Sequence, residues 1–99
     1  MQLAAARSGI ALETRRLYQQ IRQAESARDL ARMELDLARE SLSVLLARFD
    51  AGRVSLSEVE QARAEEARRW EAYYDARTVA DKARLHLLHQ TGELLAALR

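Results

Sequence analysis

The 99-residue chain contains no cysteine and no proline, and only three glycines. Without cysteine there is no disulfide framework and no thiol chemistry, and the redox compartment leaves no trace. The absence of proline suits long unbroken helices, because its ring removes a helical hydrogen bond and clashes with the preceding turn. Aromatic residues are scarce: three Tyr, one Trp and one Phe. There is no excess charge of either sign, with 16 basic residues against 15 acidic ones, interleaved along the chain. Nucleic-acid and membrane-surface binding both favour clustered cationic charge, so neither is expected. No apolar run approaches the roughly 20 residues of a membrane span. The opening Met1-Gln2-Leu3-Ala4-Ala5-Ala6-Arg7 is too short for a secretory signal, which for an exported parent would lie outside this chain.

What is present is alanine and leucine. They supply 19 and 16 of the 48 hydrophobic residues, while valine, isoleucine and the aromatics together supply 11. Helices favour the first pair and strands the second group, so the composition predicts an all-α chain. Alanine contributes little burial but lets neighbouring helices approach closely. An elongated helix pair is therefore expected, with further helix partners outside this chain.

The first helix is predicted over about 3–49. Its apolar residues step by three and four: Ile10, Thr14, Leu17, Ile21, Ala24, Arg28, Ala31, Leu35, Ala38, Leu42, Leu45, Phe49. This is an a/d heptad seam, the pattern of a coiled coil. Leu30, Leu37 and Val44 form a second stripe beside it, implying a second neighbour. The second helix is predicted over about 55–90. Its seam is Val59, Ala62, Glu66, Arg69, Tyr73, Ala76, Ala80, Ala83 and Leu87, with Leu94 beyond a break. Trp70, Tyr74, Leu85 and Leu88 flank it. Thr91-Gly92 reads as a stop signal, after which 93–98 resumes as a short helix.

Between the two helices lies a well-specified turn, about 50–54. Gly52 suits a left-handed helix C-cap. Ser55 is the N-cap of the next helix and Glu58 its capping-box partner, with Val54 and Val59 as hydrophobic staple. So short a connection forces an antiparallel long coiled-coil helical hairpin. Facing residues then have numbers summing to about 104, which pairs Leu45 with Val59, Ala31 with Tyr73, Ala24 with Ala80 and Leu17 with Leu87. Large residues meet small ones along much of this seam, as interdigitation requires.

No catalytic constellation is visible, and enzymatic activity is not expected. No cofactor is expected. His86, His89 and Glu93 share a helical face, but His-x-x-His is a weak metal pattern and no metal site is assigned. Arg28 enters the seam opposite Asp75 or Ala76. Its stem is expected to pack while its head reaches solvent.

From Arg48 the chain reads Arg-Phe-Asp-Ala-Gly-Arg-Val-Ser-Leu-Ser-Glu-Val-Glu-Gln-Ala-Arg, and Thr91-Gly92 follows at a distance. Over about residues 10–94 this resembles the TolC-like outer-membrane efflux protein family. Its repeats carry Arg-aromatic-x-x-Gly, a Ser or Thr three residues on, an acidic residue three further, and a closing Thr-Gly. Here these positions are Arg48, Phe49, Gly52, Ser55, Glu58, Thr91 and Gly92. The resemblance implies a trimeric exit duct in the outer membrane whose periplasmic α-barrel is built from such hairpins. It implies that the tip, with Gly52, Arg53, Val54, Ser55 and Leu56, docks an adaptor (membrane fusion) protein. Glu58 matches the first of the acidic entrance-lining positions; Gln61 stands where a second acidic residue occurs. The chain would then be one periplasmic hairpin of a longer parent serving multidrug or metal export or type I secretion, prone to self-association when isolated. A generic coiled-coil dimerisation module of a non-transport protein explains the heptads equally well, though not the turn motif. An adaptor's own hairpin is a third reading.

Overall fold

The computed structural model describes residues 2–98. Two α-helices account for nearly all of them: α1, Gln2–Asp50, and α2, Leu56–Leu98. They pack antiparallel along their length into a hairpin of about 76 × 18 × 14 Å. The all-α hairpin expected from composition and periodicity is therefore the observed fold. Among the described residues no helix is long and apolar enough to cross a membrane.

The core is a single seam, because two helices meet along one line and every other face points outward. Leu17, Ile21, Ala24 and Leu35 of α1 are buried in it, as are Val59 and Ala80 of α2. Leu35 is 1% exposed. All nine seam positions of α2 from Val59 to Leu87 are buried or half-buried. Of the twelve in α1, only Ile10 and Phe49 are exposed. Both sit at ends of the seam, where fewer neighbours remain to cover them. The side chain of Leu94, expected to extend the seam, lies outside the described residues.

The register also agrees. Arg69 binds Glu34 across the hairpin, and Arg32 lies over the Tyr73 ring, pairs whose numbers sum to 103 and 105. The flanking stripes are solvent-facing: Leu30, Leu37, Val44, Tyr74, Leu85 and Leu88 are all exposed. Trp70 is half-buried.

One expectation is overturned. α2 does not stop at Gln90 and restart at Glu93; it runs through Thr91-Gly92 without interruption to Leu98. Gly92 keeps helical backbone geometry, and the only positive-φ glycine among the described residues is Gly52. The Thr91 hydroxyl donates to the Leu87 carbonyl at 2.8 Å, a bond made within the helix. A helical glycine costs only about 1 kcal/mol relative to alanine, which the good helix formers that follow offset.

Candidate functional site

The tip of the hairpin is the candidate site. α1 ends because Gly52 turns left-handed, with φ of 73°. Residues with a β-carbon pay about 1–2 kcal/mol for that conformation, and glycine does not. Two hydrogen bonds complete the stop. The Gly52 amide donates to the Phe49 carbonyl at 2.9 Å, and the Arg53 amide donates to the Arg48 carbonyl at 2.8 Å. This pair is a Schellman motif, which satisfies carbonyls that the ending helix would otherwise leave open.

α2 starts on Ser55. Its Oγ accepts from the Glu58 amide at 3.3 Å, the N-cap bond expected at that position. The return bond of a full capping box, from the Ser55 amide to the Glu58 carboxylate, is not formed, so the box is half made. Glu58 stays exposed in the first turn of α2. There its charge faces the positive end of the helix dipole, while Arg48 answers the negative end of α1. Val59 is buried and Val54 half-buried, as a staple requires.

The outward surface of the tip is thus small and mixed. Gly52, Arg53, Ser55 and Leu56 are exposed, Leu56 by 56%. No β-carbon built on Gly52 would meet any atom within 4 Å, so the backbone there lies open to a partner. All five sequence-derived tip residues lie within this one turn, and Glu58 stands one helical turn behind it.

The shaft carries the ion pairs. Arg69 enters the seam and binds two carboxylates, Glu34 of α1 at 2.7 Å and Glu65 of α2 at 2.8 Å. Arg68 adds a second contact to Glu65 at 2.6 Å. The hydrogen bonds from Arg68 and then Arg69 hold the Glu65 carboxyl below the ordinary glutamate range. The Glu65–Arg69 spacing is readable within one helix; the Glu34 partner becomes apparent only from the pairing rule. Arg84 reaches Glu25 across the hairpin at 3.3 Å. Arg28 pairs with Glu25 and Asp29 of its own helix instead of Asp75. Its side chain is 28% exposed, as a packed stem with a solvated head implies.

His89 and Glu93 lie 2.9 Å apart, but no group of three or more metal-ligating side chains occurs among the described residues. Trp70 and Tyr74 stack with centroids 5.5 Å apart, and Tyr73 meets Trp70 edge-on. Arg39 lies over Trp70. Compared with known proteins, the chain matches no family model, no curated protein and no solved structure.

Proposed function

We propose that the chain is a periplasmic helical hairpin of a trimeric outer-membrane efflux duct, which docks an adaptor (membrane fusion) protein through its tip. The observation that carries this reading is the built turn. A left-handed Gly52, a Schellman stop and a Ser55 cap fix the backbone while leaving Arg53, Ser55 and Leu56 in solvent. A rigid turn that presents main chain and small side chains is suited to tip-to-tip docking with another helical hairpin, because little ordering entropy is lost on binding. The exposed stripes Leu30/Leu37/Val44 and Tyr74/Leu88 add support, since a helix in a barrel wall needs a neighbour on each side.

The function is passive. Neighbouring hairpins pack into a tube, and adaptor contact at the tip favours an open arrangement over a closed one. Glu58 would line the entrance of that tube. The role involves no catalysis and no cofactor. The parent would sit in the outer membrane with this segment in the periplasm.

The absence of cysteine makes the test simple, because an introduced cysteine is unique in this chain. In cells expressing the parent protein, Arg53→Cys or Leu56→Cys should crosslink to an adaptor, whereas Glu40→Cys on the shaft should not. A Val54→Asp/Leu56→Asp change should abolish docking and export. Equal crosslinking from tip and shaft, or export unaffected by the tip charges, would leave the coiled-coil dimerisation module as the better reading. The reading frame beyond both ends gives an independent check: barrel strands and a second Arg-aromatic-x-x-Gly repeat are expected there.

A further inference from the structure

An open groove of about 560 Å³ lies between the helices toward the end away from the tip. Measured by the helical rise, it is roughly 40 Å from Gly52. Its floor is Ile21, 8% exposed, and half-buried Leu87. Its walls are the exposed side chains of Tyr18 and Leu88, one from each helix. Arg22, Glu25 and Arg84 rim it. A smaller groove of about 240 Å³ beside it shares Tyr18 and Arg22 and is bounded by Arg15.

The rim carries more positive charge than it neutralises. Arg84 donates to Glu25 at 3.3 Å from across the hairpin, and Arg28, which also pairs with Asp29, lies 3.8 Å from the same carboxylate. Glu25 is therefore engaged twice and has no charge to spare for Arg22. Arg22 and Arg15 make no ion pair among the described residues. The excess is not confined to one row of side chains. Within one turn of the groove, over 14–29 and 80–92 with every face counted, the bases are Arg15, Arg16, Arg22, Arg28, Lys82 and Arg84, and the acids are Glu25, Asp29 and Asp81.

We infer that this groove binds a small amphipathic organic anion, an alkyl or aryl body carrying one carboxylate or sulfonate. The body lies over Ile21 and Leu87 between Tyr18 and Leu88, and the head meets the Arg22 guanidinium, whose fork of N–H donors suits an anionic oxygen pair. An apolar cleft of a few hundred Å³ with few, placed charges is the usual form of a small-molecule site. Its volume admits one such molecule and no helix. An uncharged ligand would leave Arg22 unanswered, and a cation is opposed by the local excess of bases. The inference stands apart from the duct reading: crosslinking tests the tip and ligand titration tests the groove, so either can fail alone.

Fluorescence titration of the full chain with anilinonaphthalene sulfonate, and with its uncharged counterpart phenylnaphthylamine, tests this. Saturable one-to-one binding of the sulfonate is expected, at least about fivefold tighter than the counterpart and weakening as salt rises. Arg22→Glu should weaken the sulfonate about tenfold or more and leave the counterpart unchanged, while Arg22→Lys should keep most of the affinity. Leu88→Ser removes a wall and should weaken both dyes. Leu30→Ser/Leu37→Ser, on an exposed stripe outside the groove, should change neither. Should circular dichroism show Arg22→Glu unfolded, Arg22→Gln replaces it with the same readout. Equal affinity for the two dyes, an Arg22→Glu variant that binds like the parent chain, loss of binding in the Leu30/Leu37 variant, or no saturable binding would each overturn the inference.

Discussion

Gly52 and Gly92 are the same residue, the first just past the end of α1 and the second inside α2. One ends its helix and the other does not. At Gly52 the left-handed turn is secured by two backbone hydrogen bonds, a serine cap three residues on and a buried valine beyond it. At Gly92 the backbone remains helical, and the neighbouring Thr91 hydroxyl bonds back into the turn before it. Glycine permits a stop; the residues that complete the turn impose it. No serine, threonine, aspartate or asparagine lies between Gly92 and the end of the chain to start another helix.

Substitution at the two glycines should therefore act in opposite directions. Gly52→Val places a β-branched residue at positive φ and should destabilise the hairpin by about 2 kcal/mol, read from urea unfolding followed by circular dichroism. Space is not the cause, because nothing lies within 4 Å of a β-carbon there. An unchanged midpoint would mean that the left-handed turn is not needed. Next in size is the cap. Ser55→Ala removes the bond to the Glu58 amide and should cost about 1 kcal/mol, whereas Thr91→Ala should leave stability within about 0.5 kcal/mol. Equal losses at both would erase the distinction between a helix start and a helix interior.

Gly92→Ala should stabilise by about 0.5–1 kcal/mol, since a helical glycine gives way to the best helix former in open space. A loss of stability would instead indicate a stop at Thr91-Gly92 in solution. The smallest expected effect belongs to the shaft. Glu65 has its folded-state pKa lowered, so its contribution is present above the ordinary value of 4.5 and is lost as pH falls through the lower folded value. Thermal midpoints followed from pH 6 downward should fall below about pH 4.5, and Glu65→Gln should flatten part of that slope. A parallel slope in the variant would remove Glu65 from the explanation.

Much of this architecture is legible in the chain itself. The three-four spacing located the seam, and the short turn then paired Ala24 with Ala80 and Leu17 with Leu87, positions that are indeed buried or half-buried. The tip motif from Gly52 to Val59 reads correctly because its hydrogen bonds are all local. The capping box reads as complete yet forms only one of its two bonds, because an exposed glutamate side chain keeps its freedom when water solvates it equally well. Thr91-Gly92 does not break α2, because glycine without the residues that complete a turn cannot impose a stop.

The sequence by itself determined helix type, the place of the stop, the antiparallel register and the inward face. Each depends on intrinsic propensity, on hydrogen bonds spanning a few residues, or on a period of apolar side chains. Only the tertiary structure decided that Arg69 binds carboxylates from both helices and that Arg84 reaches Glu25 across the hairpin. Those features depend on which side chains two separate helices bring to the same height and side. That geometry exists only once the hairpin has closed.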